Sequence, residues 1–151
     1  MVPAVELRGK TALLTGATGG LGRAIAAALA DRGAKLVLTS RKGEALIALA
    51  ADLPGDGHRS IVADLAEPGE VERLLAEAGA VDVLVANAGI PGRGRLEDFS
   101  PEDLERSLLV NLQVPIRMAH ALVPGMVERG AGHLVLISSL AGKAARPRGS
   151  L

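Results

Sequence analysis

The sequence of 151 residues predicts an α/β fold in which helices cover both faces of one parallel sheet. Short runs rich in Leu and Val recur along the chain, and they are almost continuously apolar, as in strands buried on both faces. Segments with helical spacing separate these runs, so each crossover should join parallel strands in the right-handed sense. Five strands are expected, in the order 3-2-1-4-5. The runs are TALLT at 11–15, KLVLT at 35–39, SIVA at 60–63, VDVLVA at 81–86 and HLVLIS at 133–138.

Two helices are predicted from apolar residues spaced along one helix face. The first ends near Gly33, which lies where a left-handed C-cap belongs, and the second is closed by Gly79. The apolar positions are Leu21, Ala24, Ile25, Ala28 and Leu29 in the first helix, and Val71, Leu74, Leu75 and Ala78 in the second.

The longest helix should begin after Ser100, an N-cap residue that Pro101 follows at the first helical position. Glu102 and Asp103 then lie near the positive end of the helix dipole. A stripe of apolar residues is expected on the buried side of this helix. It comprises Leu104, Leu108, Leu112, Ala119 and Leu122.

The composition narrows the possible functions. Seventeen basic and seventeen acidic residues cancel, so no overall field attracts a nucleic acid or an anionic membrane. Phe99 is the only aromatic residue, which leaves no platform for stacking bases. The chain has no cysteine, its first residues are too charged for a signal peptide, and no apolar run approaches membrane-spanning length. The three histidines show no metal-ligand spacing, so we expect a cytoplasmic protein without a metal site.

A glycine-rich segment, TGATGGLG at 15–22, lies between the first strand and the first helix. Gly16 permits a tight turn, Gly20 lets a backbone approach a pyrophosphate, and Gly22 allows the helix to pack closely on the strand. The phosphates would lie at the N–H groups of the helix N-terminus. The alternative is a plain strand-to-helix turn, but the strand before and the amphipathic helix after favour a dinucleotide site.

The spacing T-G-x-x-x-G-x-G resembles that of the short-chain dehydrogenase/reductase family. Three further motifs of that family follow in order, namely Asn87-Ala88-Gly89, Asn111 and the Ser139 of ISSLAG. The resemblance covers nearly the whole chain and implies a Rossmann-type fold. It also implies hydride transfer between a nicotinamide dinucleotide and a carbonyl or alcohol substrate. Within the glycine motif, Thr18 and Leu21 join the three glycines as expected cofactor-binding residues.

The residues after the second strand predict NADP rather than NAD. A carboxylate at this place binds the adenosine ribose and repels a 2′-phosphate, but the strand ends LVLTSRK, without an acid. Thr39 and Ser40 are neutral, and Arg41 offers a fork of donors suited to a phosphate, with Lys42 beside it. The alternative is that Arg41 and Lys42 are ordinary solvated charges at the start of a helix.

Two more motifs should line the cofactor cleft. By resemblance, Asp64 and the backbone N–H of Leu65 hold the adenine after the third strand, whereas a second interpretation makes Asp64 a helix or turn cap. Asn87, Ala88 and Gly89 resemble the segment that lines the cleft and steadies the sheet. A turn containing Gly is expected at that strand end in either case.

Asn111 is a candidate catalytic residue in line with Leu104, Leu108 and Pro115 on the apolar stripe. A buried amide is costly unless it is hydrogen-bonded, so specific partners are expected. Pro115 lacks the N–H that would bond to the Asn111 carbonyl, which is then free for a water. The resemblance places that water in a proton-relay chain. The alternative is a polar residue satisfied in the core at a helix kink.

Ser139 follows the fifth strand at the carboxyl edge of the sheet. By resemblance to the motif S-x-x-G it hydrogen-bonds the substrate oxygen, whereas composition alone suggests a turn or cap residue. The family pattern places the proton-transferring tyrosine at position 152 and its lysine at 156, beyond Leu151, and the chain has no tyrosine. We therefore expect residues 1–151 to form a single dinucleotide-binding domain that is truncated at its C-terminal end.

Three functions follow as hypotheses. The first is an NADP-dependent oxidoreductase of short-chain type, of which this chain is the cofactor-binding portion and nearly inactive by itself. The second is a non-catalytic NADP-binding or interaction module, and the third is one half of a split enzyme. The expected partners are a small carbonyl or alcohol substrate and either a second copy of the chain or a complementing C-terminal half.

Overall fold

The structure, a computed structural model, describes residues 6–139 and residue 143. Its strands are β1 (Thr11–Thr15), β2 (Lys35–Ser40), β3 (Arg59–Val62), β4 (Val83–Ala86) and β5 (His133–Leu136). All neighbouring strands are parallel, in the order β3-β2-β1-β4-β5, so the predicted sheet is confirmed. The chain leaves β1 toward β2 and β3 and then returns to place β4 on the other side of β1. A crevice therefore opens at the carboxyl ends of β1 and β4.

Five helices connect the strands. They are α1 (Gly20–Ala30), α2 (Gly43–Asp52), α3 (Glu70–Ala78), α4 (Pro101–Leu108) and α5 (Val114–Glu128). Helices α1 and α2 pack on one face of the sheet, whereas α3 and α5 pack on the other. Helix α2 is not predicted by a helical stripe of apolar residues, because apolar residues occupy most of its positions and only Leu46 and Leu49 are buried.

The predicted helix ends agree with the structure. Gly33 has a left-handed φ of 81° and closes α1, with its N–H bonded to the Ala30 carbonyl. Gly79 caps α3 as predicted, with a φ of 71° and a ψ of −140°. Ser100 caps α4, because its side chain accepts a hydrogen bond from the Asp103 N–H while the Asp103 side chain accepts one from the Ser100 N–H. This reciprocal capping box, followed by Pro101, fixes where the long helical segment begins.

The buried stripe expected on the long helix is wrong at Leu108 and Leu112, which are 57% and 53% exposed. A π-helical turn, Leu109–Gln113, joins α4 to α5, and the Val114 N–H bonds to the Leu109 carbonyl five residues back. This wider turn changes the phase of the helix, so a different set of residues faces the sheet. That set is Ser107, Val110, Val114, Met118 and Met126.

Strand β5 also departs from the expectation that all five strands are covered on both faces. Leu134, Val135 and Leu136 are each more than two-fifths exposed. Among the described residues β5 lies at the edge of the sheet beside β4, and its side chains belong to neither of the two core clusters that the helices form with the other strands. Within the described part of the chain, none of the helices is long and apolar enough to cross a membrane.

Candidate functional site

The glycine segment after β1 is shaped by the space that its neighbours leave. Gly16 has a φ of 64°, and a Cβ on it would lie 2.9 Å from the Ala88 Cα. A Cβ on Gly22 would overlap the Gly16 carbonyl and lie 2.9 Å from the Ala17 Cα. In contrast, a Cβ on Gly20 would meet no atom within 4 Å. Gly16 and Gly22 are thus required by packing, whereas Gly20 faces open space.

The N-terminus of α1 is open to an anion. Gly19 is its N-cap and provides no side-chain cap, and the first turn holds no acidic residue. The first N–H groups of a helix have no partner within the helix and carry the positive end of its dipole. These N–H groups point to the crevice side of the sheet, where a phosphate can accept from them.

Thr15 ties the glycine segment to the end of β4. Its hydroxyl oxygen accepts hydrogen bonds from the N–H groups of Asn87 and Ala88, at 3.0 and 2.9 Å. The Asn87 side chain returns the contact, since its Nδ2 donates to the carbonyls of Thr15 and Gly16 at 3.1 and 3.3 Å. The four bonds hold the two sides of the crevice in one arrangement.

Asn111 in the π-helical turn holds the next stretch of chain. Its Oδ1 accepts from the Ile90 N–H at 2.8 Å, and its Nδ2 donates to the Ile90 carbonyl at 2.9 Å and the Ser107 hydroxyl at 3.1 Å. The expectation of specific partners is confirmed. The expectation of burial is wrong, because Asn111 is exposed.

These segments enclose a cavity of about 410 Å³ at the carboxyl edge of the sheet. All eleven residues predicted to bind the cofactor line it. They are Gly16, Thr18, Gly20, Leu21, Gly22, Arg41, Asp64, Leu65, Asn87, Ala88 and Gly89. Their placement in one cavity is consistent with the predicted role, which remains a prediction.

The charged wall of the cavity comprises Arg41, Lys42, Asp64 and Arg106. Asp64 Oδ2 accepts a hydrogen bond from Arg106 Nη2 at 3.1 Å and lies 3.7 Å from Arg41 Nη1. Asp64 Oδ1 accepts from the Ala66 N–H at 3.0 Å, so the turn-cap interpretation of Asp64 also holds. Three cations face one carboxylate, and the wall favours an anionic ligand.

Thr39 is the polar residue in the cavity wall that the fold leaves unsatisfied. It is fully buried, and its hydroxyl has no hydrogen-bond partner among the described residues. Buried hydroxyls normally have a partner, so this one is a polar group that the described residues bury without a hydrogen bond, out of reach of a ligand in the cavity. The features of the cavity that fit a dinucleotide phosphate are the open α1 terminus and the cationic wall.

The two predicted catalytic residues lie outside the cavity lining. Asn111 is hydrogen-bonded to Ile90, which lines the cavity. Ser139 is exposed beyond the end of β5, where it interacts with another group of the protein. The rest of the S-x-x-G motif, residues 140–142, lies outside the described residues. Over residues 6–139 and residue 143, no three His, Asp or Glu side chains are placed to hold a metal ion.

Four residues of the lining were not predicted from the sequence, namely Ala63, which directly precedes Asp64, together with Ile90, Val110 and Arg106. Ile90 directly follows the predicted Asn87-Ala88-Gly89 segment, and Val110 directly precedes Asn111, so adjacency could have identified both. Arg106 could have been found as the basic residue one turn before Val110 on the predicted helix. No pattern in the sequence pairs it with Asp64, because the contact spans 42 positions.

Comparisons with known proteins agree with this geometry. The sequence model of the family described as short chain dehydrogenase matches residues 10–151. A curated relative, dehydrogenase/reductase SDR family member 7B of Mus musculus, is 42% identical over 152 residues, which cover 93% of this chain and 47% of the relative. The chain thus spans about half the length of the curated relatives it matches.

Two solved structures give the same result. A metagenomic short-chain oxidoreductase in complex with NADP has a TM-score of 0.83 and 35% identity, and covers 97% of this chain and 69% of its own. The 3-ketoacyl-(acyl-carrier-protein) reductase from Brucella melitensis complexed with NADH has a TM-score of 0.87 and 30% identity, with coverages of 95% and 63%. With the parallel sheet and the glycine segment in place, these matches establish that the chain belongs to the short-chain dehydrogenase family.

Proposed function

We propose that the protein binds NADP(H) in the cavity and forms the dinucleotide-binding part of an oxidoreductase acting on a carbonyl or alcohol substrate. The bound cofactor would supply the hydride donor or acceptor. The observation that carries the proposal is Arg41 in the cavity wall directly after β2, at a strand end without a carboxylate. A carboxylate there would repel a 2′-phosphate, whereas a guanidinium can hydrogen-bond it.

Each part of the cavity has a role in this proposal. The N–H groups of Gly20 and Leu21 at the start of α1 would hold the pyrophosphate. Arg41 would bind the 2′-phosphate, while Asp64 and the Leu65 N–H would hold the adenine. Asn87, Ala88 and Gly89 would form the opposite wall of the cleft.

The choice of NADP over NAD rests on the side chains of this chain, because similar solved structures contain either NADP or NADH. Arg41 is 66% exposed in its side chain, so its guanidinium is open to a ligand. Lys42 adds a second positive charge beside it. The local charge therefore favours the cofactor that carries the additional phosphate.

Calorimetric titration with NADPH and NADH tests the proposal. The protein is expected to bind NADPH at least about tenfold more tightly, and Arg41→Asp should remove that preference because it introduces the repelling carboxylate. Arg32→Asp is the matched control, since Arg32 follows α1 outside the cavity wall and donates to the Ala28 carbonyl. Failure to bind either cofactor, or an unchanged preference in Arg41→Asp, would contradict the proposal.

A second candidate function is cofactor binding without turnover by the 151-residue chain. The observation behind it is that the chain has no tyrosine, the residue to which the family resemblance assigns proton transfer. A positioned acid contributes about 10²–10⁴-fold to such a reaction. Ser139 would still bind the substrate oxygen, and Asn111 would still hold a water. NADPH oxidation with a panel of aldehydes and ketones should stay at the blank rate, whereas measurable turnover would require another proton donor.

We also propose that the protein self-associates through the outer face of α4 and α5. Ile116, Val123 and Val127 lie on one face of α5, and Leu108 and Leu112 precede them at four-residue spacing. All five are exposed, and apolar surface of this extent favours association. Light scattering should give a mass above that of a monomer, which Val127→Lys lowers. An unchanged mass in that variant would indicate association through another surface, such as the exposed β5.

A further inference from the structure

We infer that Arg106 is a specificity-determining residue that makes the cavity favour NADP over NAD, although its own partner is a carboxylate. It would do so by neutralising Asp64, which leaves Arg41 available to the 2′-phosphate. This inference rests on the proposed function and adds to it a residue from a different part of the chain. Arg106 belongs to α4, whereas Arg41 follows β2 and Asp64 follows β3.

The Asp64 carboxylate accepts one hydrogen bond at each of its two oxygens. One oxygen, Oδ1, accepts from the Ala66 N–H at 3.0 Å, which fixes the orientation of the carboxylate. The other oxygen, Oδ2, accepts from Arg106 Nη2 at 3.1 Å. Both oxygens therefore accept a hydrogen bond of ordinary length from groups other than Arg41.

Arg41 lies beside the same carboxylate without a hydrogen bond to it. Its Nη1 lies 3.7 Å from the same Asp64 Oδ2, beyond hydrogen-bond distance. Among residues 6–139 and residue 143, Arg41 donates no hydrogen bond to any group. Its fork of donors is thus uncommitted, although a carboxylate lies beside it. A phosphate needs such a fork in order to bind in the bidentate manner.

Removing Arg106 would change the balance of charge around Arg41. Asp64 would then carry an unpaired negative charge beside Arg41, and Arg41 would become its only cationic partner. The carboxylate would compete with the 2′-phosphate for Arg41 and would repel that phosphate. NAD has no 2′-phosphate, so its binding would depend much less on the charge of Asp64.

Arg106→Gln tests this in the full chain, by calorimetric titration with NADPH and NADH. The variant should bind NADPH about fivefold more weakly than the original protein, an effect typical of a partly exposed ion pair. Its affinity for NADH should change less than about twofold. The ratio of the two affinities is the readout, because a general loss of folding lowers both.

Three further variants isolate the cause. Arg106→Lys keeps the positive charge and should retain most of the ratio. Asp64→Asn combined with Arg106→Gln removes both charges and should restore the ratio that Arg106→Gln loses. Arg117→Gln is the matched control, because Arg117 pairs with the Glu72 carboxylate on the helical surface outside the cavity wall. This control should leave the ratio unchanged.

Equal weakening of NADPH and NADH in Arg106→Gln would overturn the inference, since Arg106 would then act on the part that both cofactors share. An unchanged ratio would also overturn it, as would a failure of the double variant to recover. If the original protein binds neither cofactor, the proposed function fails and the inference fails with it. If the original protein prefers NADPH and Arg106→Gln keeps that preference, only the inference fails.

Discussion

Thr15 and Thr39 lie side by side in the parallel register of β1 and β2, and both are buried, yet only one of their hydroxyls is used. The Thr15 hydroxyl accepts from the N–H groups of Asn87 and Ala88, whereas the Thr39 hydroxyl has no partner among the described residues. The same residue type in matching positions thus has two different roles. The Thr15 hydroxyl ties β1 to the end of β4, whereas the Thr39 hydroxyl is buried and makes no such bond among the described residues.

The first prediction concerns Thr15→Val, which keeps the shape of the side chain and removes the acceptor. Two N–H groups at the end of β4 lose their partner, so the free energy of unfolding should fall by about 2–4 kcal/mol. Urea unfolding followed by circular dichroism measures this. Thr39→Val is the matched control, and it should leave stability unchanged or raise it by about 1 kcal/mol because it removes an unpaired buried hydroxyl. Equal losses in both variants would show that the bonds to Asn87 and Ala88 contribute little.

The second prediction separates two glycines of the segment after β1. Gly22→Ala should lower the free energy of unfolding by about 3 kcal/mol or more, because the new methyl group overlaps the Gly16 carbonyl. Gly20→Ala should fold with a stability within about 0.5 kcal/mol of the original, since its methyl group meets open space.

The two variants differ in cofactor binding as well as in stability. Gly20→Ala should weaken NADPH binding by roughly tenfold, because its methyl group occupies the path of the pyrophosphate to the backbone. Thermal unfolding and calorimetric titration measure the two effects independently. A Gly20→Ala variant that binds NADPH as tightly as the original protein would place the pyrophosphate elsewhere.

Whether the sequence predicts a feature of this site depends on how far apart along the chain the interacting residues lie. Strand order and the glycine segment follow from local patterns, because strand ends and helix starts determine which residues meet at the crevice. The eleven residues predicted to bind the cofactor, several of them through the family resemblance, all line the cavity, and their role stays a prediction. The exposure of Leu108 does not follow, since it depends on the π-helical turn, which no local pattern signals. The Arg106 contact with Asp64 is also a tertiary effect, because it joins α4 to the segment after β3 across 42 positions of the chain.

The third prediction concerns pH and the Arg73 cluster of α3. Arg73 donates to the carboxylates of Glu70 and Glu77 and to the Val62 carbonyl at the end of β3. The hydrogen bond from Arg73 is the main reason that the pKa of Glu70 lies below its ordinary value of 4.5. A carboxylate whose pKa is lowered by folding stabilises the protein above its ordinary pKa, and this contribution is lost as the pH falls through the folded value.

Arg73→Met should therefore flatten the acid limb of the stability profile. The original protein is expected to lose melting temperature as the pH falls below 4.5, and the difference between the two proteins should shrink over the same range. Melting curves from pH 7 down to about pH 3 measure this. Arg32→Met is the control, because Arg32 donates to the Ala28 carbonyl and should leave the slope of the acid limb unchanged. Parallel profiles for Arg73→Met and the original protein would contradict the prediction.

The last prediction concerns Asn111 and Ile90. Asn111→Ala removes both bonds to the Ile90 backbone and the bond to the Ser107 hydroxyl, so the free energy of unfolding should fall by about 1–2 kcal/mol at this exposed position. NADPH affinity should fall as well, because Ile90 lines the cavity and loses its attachment.

Two variants show which bonds of Asn111 matter. Asn111→Asp keeps the acceptor for the Ile90 N–H but directs a carboxylate at the Ile90 carbonyl, so it should be no more stable than Asn111→Ala. Ser107→Ala removes one bond and should cost about 1 kcal/mol or less without a change in NADPH affinity. If Ser107→Ala lowers NADPH affinity as much as Asn111→Ala does, the effect comes from the helix itself, and Asn111 does not act through Ile90.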